Sequence, residues 1–129
     1  MKIFNMEAFG KMENTDPDRA PTLGGDPQFV KDILTNADGA NDLNGHYISF
    51  PPGTEGIYHY HKKCESLMII IGGEAVEFVE GKEIPLKVGD VIYIPAGEKH
   101  SVINRSDKDF RFFEFFSSPP VTADKFAVE

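Results

Sequence analysis

The stretch Gly53-Thr54-Glu55-Gly56-Ile57-Tyr58-His59-Tyr60-His61-Lys62-Lys63-Cys64-Glu65-Ser66-Leu67-Met68-Ile69-Ile70-Ile71-Gly72 decides how the chain is read. Residues two apart on a strand point to one face, so His59 and His61 project together while Tyr60 points away. Lys62 and Lys63 form a short turn, and a neighbouring strand beginning at Glu65 can return its carboxylate beside the two imidazoles. Imidazole nitrogens with a carboxylate oxygen suit Mn, Fe, Co, Ni, Cu or Zn, whereas Mg and Ca prefer all-oxygen shells. A His-x-His pair alone is more often a surface pair or a satisfied polar pair. The framing around this one sets it apart.

That framing is a doubled motif. The first half runs Gly53, five residues, His59-Tyr60-His61, three residues, Glu65, six residues, Gly72. The second runs Gly89, five residues, Pro95-Ala96-Gly97, two residues, His100, three residues, Asn104. Together they resemble the cupin superfamily of small metal-binding β-barrels, strongly over Gly53 to Asn104 and weakly on the flanks. No position departs from either half, and the sixteen residues between Gly72 and Gly89 match the short spacing of minimal single-domain members.

The resemblance implies an all-β fold, a double-stranded β-helix or jelly-roll barrel. It also implies the ligand set, position by position: His59, His61, Glu65 and His100 around one divalent metal. Three imidazoles and one carboxylate leave an octahedral metal with two open positions, which water would fill at rest and a substrate in turnover. A structural metal would have a closed shell instead. Gly72 and Gly89 are expected at sharp turns with positive φ. Asn104 is expected either to orient the loop or to cap a turn.

Outward from the motif, the chain reads as one domain over residues 1–129, with a barrel core at about 46–118 and an N-terminal strand and loop segment at 1–45. Met1 to Phe9 is a candidate first strand, and Glu13 to Pro27 is loop, rich in Pro, Gly and Asp. Phe29 to Thr35 fits a helix or a strand equally. Strands are expected at His46–Phe50, Ile57–His61, Glu65–Ile71, Ala75–Val79, Glu83–Leu86, Val91–Ile94, His100–Asn104 and Phe110–Phe116. Gly- and Pro-rich turns separate them, and no βαβ alternation intervenes.

Composition narrows the partners. Thirteen basic against 21 acidic residues give a net charge of −8, which repels phosphate backbones and anionic lipid. No nucleic acid or membrane partner is therefore expected. Cys64 is the only cysteine, so an intramolecular disulfide is impossible and the residue reads as a small buried or interfacial hydrophobe. Met1 to Gly10 lacks a signal-peptide pattern, and the apolar run Leu67–Ile71 is too short to span a bilayer. A cytoplasmic protein is the expectation.

The strand Phe110-Arg111-Phe112-Phe113-Glu114-Phe115-Phe116 offers an apolar face on either parity. If Glu114 faces inward, it is a carboxylate in an apolar pocket near a metal, suited to general acid–base work. If it faces outward, it blunts an edge strand. The segment Glu114 to Pro120 also resembles the end of small cupins that act on sugar acids, where an acidic residue faces the cavity. His46 reads as a surface or strand-end histidine.

Two functions follow from the resemblance. One is a metal-dependent enzyme on a small oxygenated substrate: a dioxygenase, or an isomerase or lyase of a sugar or uronate. The alternative is a non-catalytic module that binds metal or a small ligand. The Phe-rich strand, the long N-terminal segment and the family habit point to a homodimer built through edge strands.

Overall fold

In Ser66–Gly72 the side chains of Ser66, Met68 and Ile70 are buried while those between them are exposed or half-buried, the alternation of a strand with one covered face. The computed structural model describes residues 1–5 and 27–129. Ten strands follow in chain order: β1 Phe29–Leu34, β2 Asn44–Phe50, β3 His59–Tyr60, β4 Ser66–Gly72, β5 Glu74–Val79, β6 Lys82–Lys87, β7 Val91–Ile94, β8 His100–Ile103, β9 Phe110–Phe116 and β10 Phe126–Ala127. Two antiparallel five-stranded sheets, ordered β1-β2-β9-β4-β7 and β10-β3-β8-β5-β6, form the jelly roll. The all-β expectation holds.

The ambiguous segment Phe29–Thr35 is a strand paired with β2, and Thr35 caps a single 3-10 turn at Asn36–Asp38. Residues 1–5 carry no regular structure, and the rest of the candidate first strand lies outside the described residues. So does the expected loop Glu13–Pro27, except for Pro27. The short β10 was not anticipated; its pairing partner is β3, the strand that carries His59.

Val30, Ile48, Phe50, Met68, Ile70 and Phe112 anchor one continuous apolar core between the sheets. β9 is not an edge. It lies between β2 and β4, with Phe110, Phe112, Glu114 and Phe116 all buried, so the edge-strand argument for this segment is corrected.

The expectation for Gly72 is also corrected. Positive φ falls on Gly73 (φ 74°), not on Gly72. A Cβ at Gly72 would lie 2.5 Å from Arg111 Nε, so the flexible end of that side chain would have to shift. Gly89 does take positive φ, at 95°. Asn104 serves the turn: its Nδ2 donates to the carbonyls of Phe50, Pro51 and Lys108, and its Oδ1 accepts from Ser106 N and Oγ.

Candidate metal and ligand site

Pairing explains how three distant histidines meet. His59 on β3 stands directly opposite His100 on β8, and His61 follows two residues after His59 on the same face. Their ring centroids lie 4.3 Å apart for His59 and His100, 5.0 Å for His59 and His61, and 5.5 Å for His61 and His100. One ligand atom from each falls within 4.8 Å of the others.

Each ring is oriented through its other nitrogen. His59 Nδ1 donates to Ile57 O at 2.7 Å, His61 Nδ1 to Asp124 O at 2.8 Å, and His100 Nδ1 to Glu98 O at 2.8 Å. A carbonyl oxygen only accepts, so the proton sits on Nδ1 and each Nε2 presents a lone pair. Burial drives all three pKa values down, His59 to about 2 and His100 to about 4, so the imidazoles are neutral at pH 7. Three neutral nitrogen donors held this way fit a divalent transition metal.

Glu65 is where the structure parts from the expected ligand set. Since Ser66, Met68 and Ile70 take the inward positions, Glu65 shares the outward parity of Leu67. Its carboxylate is exposed and accepts a hydrogen bond from Tyr93 Oη at 2.8 Å. It does not join the three histidines.

The histidines open onto a cavity of about 170 Å³, well above the roughly 10–15 Å³ that one water needs. Glu114 lines it and is 6% exposed. Its Oε2 accepts from Ser66 Oγ at 2.8 Å, and burial pushes its carboxyl up to about 7. Of its two sequence readings, the structure shows the inward one. Met68, Phe112 and Phe116 supply apolar wall, and none of the four tyrosines lines the cavity.

Several lining residues escaped the sequence reading. His46 is buried, not superficial: it faces Glu114 across the β2–β9 pair and its Nε2 lies 3.3 Å from Asp32 Oδ1. Glu77 of β5 is 2% exposed and lines the same space. Lys125, from the segment before β10, also lines it, and its charge helps depress all three histidine pKa values. Cys64 behaves as expected, buried beside Phe116 and Val121 with its thiol pushed up to about 12 by burial first.

The family model of the cupin domain matches residues 46–116, the span that holds the three histidines and Glu114. The chain belongs to the cupin family. An oxalate-binding protein of Thermotoga maritima is 35% identical to this cupin over 65 residues, 50% of this chain and 54% of that protein. The chain spans about half the length of the curated relatives it matches. The crystal structure of a predicted oxalate decarboxylase, also from Thermotoga maritima, superposes with a TM-score of 0.65 at 27% identity, covering 71% of this chain and 81% of that one. KdgF of a Halomonas species shares the fold with a TM-score of 0.70 at 17% identity, covering 95% and 99% of the two chains. Among the described residues no helix is long and apolar enough to cross a membrane.

Proposed function

We propose that this cupin is a metal-dependent enzyme that relocates a proton on a small carbonyl- or carboxylate-bearing substrate. His59, His61 and His100 hold the metal, and Glu114 is the acid–base group. The carrying observation is the convergence of three tethered imidazoles on a cavity that also presents a buried, singly anchored carboxyl. When bound, a divalent metal supplies Lewis acidity toward a substrate oxygen.

The chain's own residues supply the rest. Ser66 orients one oxygen of Glu114, and the apolar walls raise its pKa toward neutrality, where both protonation states are populated. Phe112, Phe116 and Met68 exclude bulk water, which strengthens the electrostatic contacts inside. A carboxyl poised in this way favours isomerase or lyase chemistry over dioxygenation.

Solvent-deuterium exchange tests the reading. Metal-loaded protein is incubated in D₂O with keto sugars, uronates and small dicarboxylates and followed by NMR. Deuterium should enter at a carbon beside a carbonyl, and Glu114→Gln should abolish this while retaining metal. The name of the Thermotoga maritima relative favours the second reading, a binding module for a small acid. Calorimetric binding across the panel with no exchange and no turnover would select it.

A further inference from the structure

Glu77 is a buried carboxyl that the proposed chemistry leaves unused. It sits on β5 opposite Val102 of β8, and two residues on, Val79 faces His100. Its place in the wall is therefore beside the histidines. The other polar groups of the site are tethered: the three imidazoles through Nδ1, and Glu114 through Ser66. Neither Glu77 oxygen has a hydrogen-bond donor among the described residues, although the side chain is 98% buried by its 2% exposure. A buried polar group without a partner costs stability, and such groups in native proteins call for an explanation.

Hydrophobic patterning does not explain it. Val76 and Phe78 on the same strand are only half-buried, while Ala75 and Glu77 take the inward positions. Phe78 is engaged with Tyr58, their centroids 5.3 Å apart. Nor does Glu77 belong to the histidine cluster. It faces the cavity as an open acceptor beyond the metal donors.

The cavity has two kinds of polar wall. Lys125 acts on all three histidines, the side that attracts an anionic oxygen. Glu77 and Glu114 form an oxygen-rich side, and burial first, with Glu114 second, pushes the Glu77 carboxyl well up, so that it keeps its proton and accepts through its carbonyl oxygen. A ligand that satisfies both carries a carboxylate and at least one hydroxyl.

We infer that Glu77 is a ligand-binding residue whose carboxyl group accepts the hydroxyl of a small hydroxy acid, with the acid's carboxylate directed toward the histidines and Lys125. This rests on the proposed reading in one respect, that the histidine side receives a ligand oxygen.

The test uses D-glycerate and propanoate, which share a carboxylate and differ in hydroxyls, titrated calorimetrically into zinc-loaded full-length protein. Wild type should bind glycerate at least about tenfold more tightly. Glu77→Leu should lose that preference with propanoate affinity and zinc content unchanged. Its melting temperature should rise, because a functional group held at the expense of stability has been removed. Glu77→Gln, which keeps the shape, should weaken the preference and retain the wild-type circular dichroism. A wild type with no preference overturns the inference, as does a Glu77→Leu variant that keeps the preference, loses zinc, or melts lower with both probes weakened alike. The same titrations on zinc-free protein separate the two readings. A Glu77-dependent preference in protein whose zinc content is indifferent to His59→Ala leaves the inference standing and removes the metal site.

Discussion

Asp124 holds His61 and the turn that follows it although 63 residues separate Asp124 from His61. His61 Nδ1 donates to the Asp124 main-chain carbonyl, while the Asp124 carboxylate accepts from the next three backbone amides, Lys62, Lys63 and Cys64. One residue thus orients an imidazole and shapes the turn that follows it. Burial alone would raise the Asp124 pKa, but the amide donors outweigh it and hold the carboxyl below its usual value.

Asp124→Asn keeps the carbonyl for His61 and removes only the charge that gathers the turn. Loss of the direct partner of a ligating histidine typically weakens metal affinity about 10–100-fold, and here that partner, the carbonyl, is kept. The expected result is a drop of less than about tenfold in a chelator-competition titration with zinc. Because the folded pKa is depressed, the stability this carboxylate contributes is present above its unfolded value of 3.8 and disappears as pH falls through the folded one. Wild type should therefore lose its stability advantage over Asp124→Asn in melts carried below pH 4.

The histidines predict a second pH window. Their folded pKa values are depressed from 6.5, to about 2 for His59 and about 4 for His100, by burial first. Unfolded imidazoles take up protons from pH 6.5 downward while the folded ones do not, so unfolding binds protons and acid favours it. Metal-free protein should lose about 1.4 kcal/mol per pH unit per depressed histidine as pH falls from 6.5 toward 4. Urea melts across that range check this, and His100→Asn should flatten the slope.

Glu114 has the opposite sign. Its folded pKa is raised from 4.5 to about 7, so the folded state binds its proton more tightly than the unfolded chain does. The stability linked to that proton is complete below pH 4.5 and is lost as pH rises to about 7, roughly 3 kcal/mol in all. Glu114→Gln, which can still pair with Ser66, should match wild type at pH 4.5 and exceed it by about that amount at pH 8. The same variant should lower turnover by about 10²–10⁴.

How much of this was legible in the sequence depended on which interaction positioned each residue. The strands β2, β4, β5, β7, β8 and β9 announced themselves by apolar runs between Gly and Pro turns, and the doubled motif placed His59, His61 and His100. Parity within a strand was harder to read. In β5 the larger apolar side chains, Val76 and Phe78, argue for an inward face that the structure gives instead to Ala75 and Glu77. His46 lies on the parity of Ile48 and Phe50, which is a usable signal for an inward position, but nothing local shows that it meets Glu114 across the sheet. Asp124 and Lys125 reach the site through β10, a two-residue strand with no periodic pattern to detect. Glu65 shows the same limit of parity: the motif supplies its position, and the direction of its side chain is set by where β4 begins.

The orientation of Glu65 yields the sharpest mutational contrast. Its carboxylate is exposed and paired with Tyr93 Oη, on the opposite side of β4 from Ser66, which reaches Glu114. Exposed hydrogen bonds of this kind contribute little, so Glu65→Gln should leave the melting temperature within about 2 °C of wild type, in line with a surface substitution on the order of 0.5 kcal/mol or less. Metal affinity should also stay within about twofold, whereas His61→Ala, which removes one of three converging nitrogens, should lower it by more than about a hundredfold. Zinc competition on the three proteins measures both. Equal losses in Glu65→Gln and His61→Ala would mean that the start of β4 rotates by one residue when metal binds and carries the carboxylate inward. In that event Ser66 would turn out and release Glu114, and the pKa of Glu114 would change on metal loading, a shift that carbon-13 NMR of its labelled carboxyl would register.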